Sequence, residues 1–557
     1  MSSILPCARL ILAVGAFTSA AQAAIAAEPP GAPQSFYTVT AEIALARREP
    51  RIAALQYAAG AQRDPSLLPR AVQVAAQTLQ PSIGLVLAER WIAQDPHSIE
   101  ARRAAAAAAL SLHHIDRAAA HYRALLAATP DGVDAGFATV EKELLESGNL
   151  YGARQVADRL VAEFPASPAA LRMQGFAALR ADDPATAVRA FQAAVAGGVH
   201  DDEAGTLKQA LRRARVLAGE TEAPLAEARA ELDHDGSSDR RFDYALLLLA
   251  AKRDSLAREQ LTLLLDRPET APEALRLLGL IEFQDGDDQA AGQHFFQLIT
   301  TGHYLDDGYY YQGLIAERHA DLDRALTNYA RVQAGENGLA AMLRAASILR
   351  THGEGAESEE LLNQLLTEEP QSAPEILASR VELDMRAGDA AGALKRLAAA
   401  VAQYPDSTEL HYERATLMEE RGDVNAALRE LAAVLRDRPD DPAAQNALGY
   451  TLADHSRQLP RARTLIDRAY AAAPMSAAIR DSLGWVLYRQ GHAADALPVL
   501  TGAFADDPGG DIGAHLGEVL WQLGQRDQAE RIWAQAGAID LDNRLLKSTR
   551  QRLRAHQ

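Results

Sequence analysis

The chain has 557 residues, 48% of them hydrophobic and 5% aromatic, with a formal net charge of −19. That length is more than one compact core organises, so several domains or a repeat array is expected. The charge argues against a sequence-independent nucleic-acid binder, which needs a basic surface to neutralise phosphates, and against broad adhesion to anionic lipid. Alanine, leucine, arginine, glutamate, aspartate and glutamine dominate, while runs rich in valine, isoleucine and threonine are scarce. That vocabulary predicts an all-α chain.

Residues 1–27 read as a secretory signal peptide: a thin positive region ending at Arg9, an apolar run from Leu10 to Ala21, then small-residue spacings at Ala21-Gln22-Ala23 and Ala24-Ile25-Ala26. The apolar core is short for a membrane span. The single cysteine, Cys7, falls inside this segment, so no disulfide or thiolate metal ligand is expected in the mature chain. Pro6 precedes Cys7 and the apolar run follows it, the reverse of a bacterial lipid-attachment motif. The expectation is an exported, periplasmic protein without a lipid anchor or a transmembrane segment; peripheral membrane association and oligomeric state stay open.

From there the chain is punctuated by proline. Pro65, Pro96, Pro130 and Pro165 are separated by 31, 34 and 35 residues; Pro370, Pro405, Pro439, Pro474 and Pro508 are separated by 35, 34, 35 and 34. A fixed period near 34 marks a helical repeat array. With the terminal proline as repeat position 32, position 8 holds Gly175, Gly279, Gly313, Gly449, Gly484 and Gly517. Position 20 is mostly alanine, position 15 is often glycine (Gly286, Gly491) and position 24 is often large (Phe191, Phe295, Tyr329, Trp533). The expected division is N-terminal repeats at 28–200, a degenerate repeat or connector at 201–238, where Pro224 takes position 20, a C-terminal array at 239–541, and a basic capping helix at 542–557.

The segment DSLGWVLYRQG (481–491), followed by ADAL and a terminal DP, resembles the tetratricopeptide repeat. That resemblance implies an α-α superhelix, a solenoid of about 14–15 helix–turn–helix repeats. It places position 8 on helix A and position 20 on helix B where the two cross closely, so that glycine at position 8 is structural. Position 15 then ends helix A with a left-handed cap.

Motifs for chemistry are scarce. H-E-x-x-H, G-x-S-x-G, the phosphate-binding G-x-x-x-x-G-K-[ST] and C-x-x-C are missing from the sequence, and His113, His114 and His121 are its nearest histidine cluster. No enzyme, cofactor or metal is expected. In such an array helix A lines the concave face at positions 2, 5, 9 and 12, one side of a helix. Those positions hold Tyr412, Asn446, Tyr450, Asp481, Trp485, Tyr488, Glu518 and Trp521, with Tyr310 and Phe283 earlier. Aromatic and paired polar groups of this kind suit a partner-binding groove, though contact between neighbouring A helices would use them too.

The block 446–533 is similar to an envelope subgroup that includes a lipoprotein adaptor binding a carboxyl-terminal processing protease and presenting cell-wall hydrolases to it. The resemblance implies a non-enzymatic scaffold for envelope proteins. The alternatives are a scaffold for exopolysaccharide synthesis or export, and a holdase-like periplasmic chaperone.

Overall fold

The computed structural model describes residues 34–129, 132–198, 201–333, 337–539 and 543–555. The expected signal segment with Cys7 lies outside them, as do Pro130 and the Asp540-Leu541 end of the last repeat. Thirty-one helices follow one another without a strand among the described residues, as fifteen antiparallel A–B pairs and one closing helix, Arg544–Ala555. The all-α superhelix expected from the period is the architecture observed, at the upper end of the expected repeat number.

The local signals repeat with the fold. Serines cap A helices: Ser98, Ser167, Ser407 and Ser476 each accept a bond from a backbone N–H of the first turn. Aspartates cap B helices in the same way, at Asp183, Asp287, Asp321, Asp389 and Asp423. Each such cap stabilises its helix by about 1 kcal/mol. Between the helices, Gly286, Gly353, Gly388, Gly422, Gly491 and Gly524 adopt positive φ and turn the chain from A to B. Other repeats place a side chain in a left-handed turn position instead, among them Arg48, Leu79, His113, Asp182, Lys252, Ala320 and Ser456. A side chain there costs roughly 1–2 kcal/mol, so it needs a reason.

The position-8 glycines face the large residue at position 24. A Cβ on Gly175 would stand 2.2 Å from Phe191, on Gly313 2.4 Å from Tyr329, and on Gly484 2.4 Å from Leu500. On Gly279 it would meet Phe295 at 2.9 Å, on Gly449 Ile466 at 2.7 Å, and on Gly517 Trp533 at 1.9 Å. Helix A thus supplies a hole and helix B the knob that fills it, and the nearest neighbour is position 24 where position 20 was expected. Position 20 also lies at the crossing: Ser358, which replaces the usual alanine there, is buried and donates to the Ala346 carbonyl at 2.8 Å.

The degenerate segment is helical, as Asp201–Leu217 and Glu222–Asp235, with Pro224 buried in the first turn of the second helix. Its two helices are tied by ion pairs: buried Arg212 reaches Glu231 and Glu227, and Arg215 bonds Glu220 and Glu227. The basic closing helix stays largely exposed while its arginines form ion pairs. Arg552 pairs with Glu518, Arg554 with Glu530 at 2.5 Å, and Arg544 with Glu420 at 3.3 Å. No helix among the described residues is long and apolar enough to cross a membrane.

Candidate functional site: the C-terminal cleft

The A helices Pro442–Asp454, Ala477–Arg489 and Gly510–Gln522 line the array side by side. With the closing helix they form a cleft of about 750 Å³, whose lining includes Asp454, Trp485, Tyr488, Arg489, His515, Glu518 and Arg552. Its centre is His515, buried to 2% exposure, with Nδ1 2.8 Å from Asp481 Oδ2. The imidazole stacks on Trp485 with ring centres 4.1 Å apart, and its Nε2 lies 3.4 Å from the Tyr450 hydroxyl. Trp485 Nε1 donates to Asp454 at 3.0 Å, and the Arg489 guanidinium sits over the indole at 5.3 Å. Tyr488 donates to Glu518 at 3.3 Å, and Arg552 holds the other oxygen of that carboxylate.

The electrostatics follow from burial. Burial alone would push the His515 pKa down, yet the Asp481 carboxylate, aided by Asp454 and Asp511, holds it above the ordinary histidine value. The Tyr450 phenol is driven far up by burial among the same carboxylates, and burial next to Glu518 pushes Tyr488 up to about 12. An Asp–His pair can serve as a general base when its second nitrogen faces a nucleophile. Here that nitrogen faces a phenol held firmly protonated, so the pair orders the cleft by charge and stacking.

The expected groove residues divide. Asp481, Trp485 and Glu518, at 6%, 4% and 7% exposure, are interior groups that join neighbouring A helices, so the packing reading holds for them. Tyr412, Asn446, Tyr450, Tyr488 and Trp521 are half-buried, and of these Tyr488 is the one on the cleft wall. Trp521 lies beside Trp533, with Arg526 over its ring at 5.1 Å. Earlier in the array, Arg318 covers Phe283 at 4.1 Å and Tyr310 packs near Tyr329.

Sequence reasoning missed His515 and Arg552. His515 sits between Ala514 and Leu516 on a helix that is apolar on nearly every side, and a lone histidine in that setting is the one available signal. Glu419 and the adjacent Asp454 and His455, 35 and 36 residues further along, bring donor atoms within 4.8 Å of one another. His455 is bonded to Glu419 at 2.5 Å, while Asp454 accepts from Trp485 and lies 3.4 Å from Arg489. The trio is therefore a satisfied network bridging two A helices. His113, from the histidine cluster of the sequence, bonds Asn149, and His121 lies 3.4 Å from Glu89.

Fifteen helix pairs wound as an α-α superhelix, with a cleft on the A helices, have the arrangement of tetratricopeptide repeats. Tetratricopeptide repeat models match residues 142–202, 384–449 and 487–553, so the chain carries these repeats. It is 34% identical over 214 residues to a TPR repeat-containing protein of Pseudomonas aeruginosa, a match spanning 38% of this chain and 36% of that protein's length. The crystal structure of yeast Tom70 is similar over 83% of this chain and 96% of its own, with 12% identity and a TM-score of 0.39. A tetratricopeptide repeat protein from Parabacteroides merdae covers 44% of this chain and 97% of its own, with 14% identity and a TM-score of 0.32.

Proposed function

We propose that the chain is an exported scaffold of the cell envelope that holds a segment of a partner protein in the C-terminal cleft. The observation that carries this reading is the half-buried Tyr488 on the cleft wall, set on a network that is already ordered, with further half-buried aromatic groups, Tyr412, Tyr450 and Trp521, on neighbouring A helices. Preorganised aromatic anchors lose little side-chain freedom on binding, which is why hot spots favour them. The apolar run and small-residue spacings of residues 1–27 support export, and the similarity of 446–533 to the envelope adaptor subgroup makes a carboxyl-terminal processing protease and its cell-wall hydrolase substrates the first partners to test.

The variant Tyr488→Ala/Trp521→Ala should weaken capture of the native partner by about 2 kcal/mol or more. Trp485 is left intact because it is interior, so helical content by circular dichroism should stay near the wild-type value. Titration of the purified partner checks this, and wild-type affinity in the double variant would move the binding surface elsewhere.

A further inference from the structure

The superhelix winds far enough for its N-terminal repeats to touch its C-terminal repeats. Gln80, fully buried, donates from Nε2 to the Gln403 carbonyl at 2.7 Å, and the Ser82 N–H donates to Asp406 Oδ2 at 3.1 Å. Tyr151 packs against Ala469, Ala473 and Ile479. Three of the left-handed turn residues find their reason here. Arg48 donates to the Asn363 carbonyl at 3.0 Å, Leu79 packs into the core that holds Ala373 and Tyr404, and Lys252 lies 3.4 Å from Asp506. Where other repeats use glycine for the same turn, these three accept backbone strain and gain a side chain that reaches the other arm.

The contact also borders a half-open cavity. Ala104, Ala107 and Ala108, on an A helix of the N-terminal arm, line a cavity of about 660 Å³ whose other wall includes Tyr404, Thr408 and Arg438. We propose that this contact is a clasp: it roofs the A-helix groove of the N-terminal arm and must part before a folded protein can enter there. The two arms keep separate cores, one spanning Ala41 to Ala177 and another Ala415 to Val486. Parting them exposes turn-to-turn hydrogen bonds and a few side chains and leaves both cores whole, so the closed and open forms differ by little enough to be shifted by a ligand. The C-terminal cleft lies beyond the roof and stays open in both forms.

The test uses the full chain with Cys7→Ser, which removes its only thiol, and Ala108→Cys as a half-buried reporter on the cavity wall. Reaction with N-ethylmaleimide is compared with reaction with a polyethylene-glycol maleimide, with and without Gln80→Ala/Tyr151→Asp. The clasp predicts that loosening speeds the large reagent by about tenfold and the small one by far less, with a larger radius of gyration in X-ray scattering. Equal rates for the large reagent in both backgrounds overturn it. Loss of helical content in the loosened variant also counts against it, because separable arms should remain folded. A second arm makes Ser82→Cys/Asp406→Cys with Ala108 unchanged. Mild oxidation should close an intramolecular disulfide and leave the wild-type scattering curve unaltered, and failure to close it contradicts the contact itself.

Discussion

Alanine in place of Gly517 is expected to destabilise the C-terminal repeats, while alanine in place of Gly205 is expected to stabilise the chain. Both glycines lie inside helices. On helix propensity alone each exchange should gain up to about 1 kcal/mol. At Gly205 a new Cβ meets nothing within 4 Å, so that gain stands. At Gly517 the Cβ would come 1.9 Å from Trp533 Nε1, and Trp533 is a fully buried residue with no room to withdraw. Overpacking of this kind costs about 1–3 kcal/mol or more, which outweighs the propensity gain. Leucine at the same site should cost more still. Three of the four tryptophans, Trp485, Trp521 and Trp533, report on this end of the array, so fluorescence-detected urea unfolding reads the effect locally. A Gly517→Ala variant as stable as the parent would mean that helices A and B do not cross closely at positions 8 and 24.

The second large effect concerns Asp481. Replacing it with alanine leaves His515 buried with its principal anionic partner gone, and breaking a buried pair on one side costs about 3–5 kcal/mol. The variant Asp481→Leu/His515→Leu should recover much of that loss, since neither charge remains to be buried. The pH dependence gives a sharper reading. In the parent, the pKa of folded His515 is raised above the ordinary 6.5, so its contribution is complete below 6.5 and lost as pH rises through the folded value. In Asp481→Ala burial dominates and depresses that pKa, so stability instead falls as pH drops below the ordinary value. Urea midpoints between pH 5 and 9 should therefore change slope between the two proteins. Parallel profiles would show that the pair does not carry the charge assigned to it.

The period of proline, with small residues at positions 8 and 20, made the solenoid and its repeat number legible, because each is a local rule repeated in phase. The knob at position 24 was visible too, although only the structure pairs it with the glycine across the turn. The cleft was half legible. Positions 5, 9 and 12 pointed to the correct A-helix face, yet burial separates Trp485 from Tyr488 and depends on how neighbouring repeats close. The Asp481–His515 pair spans a repeat boundary, and the Arg48 contact with Asn363 spans 315 residues. A residue period cannot encode such contacts, because they follow from the accumulated winding of the whole array.

The measurement closest to the central claim, that the cleft is where a partner binds, is site-specific photocrosslinking in the native cell. One probe replaces Tyr488 in the cleft; the other replaces Phe296, which is 63% exposed on the B helix Asp288–Thr301. The account predicts a discrete protein adduct from position 488 and none of that identity from position 296. An adduct confined to position 296, with position 488 silent, would contradict it.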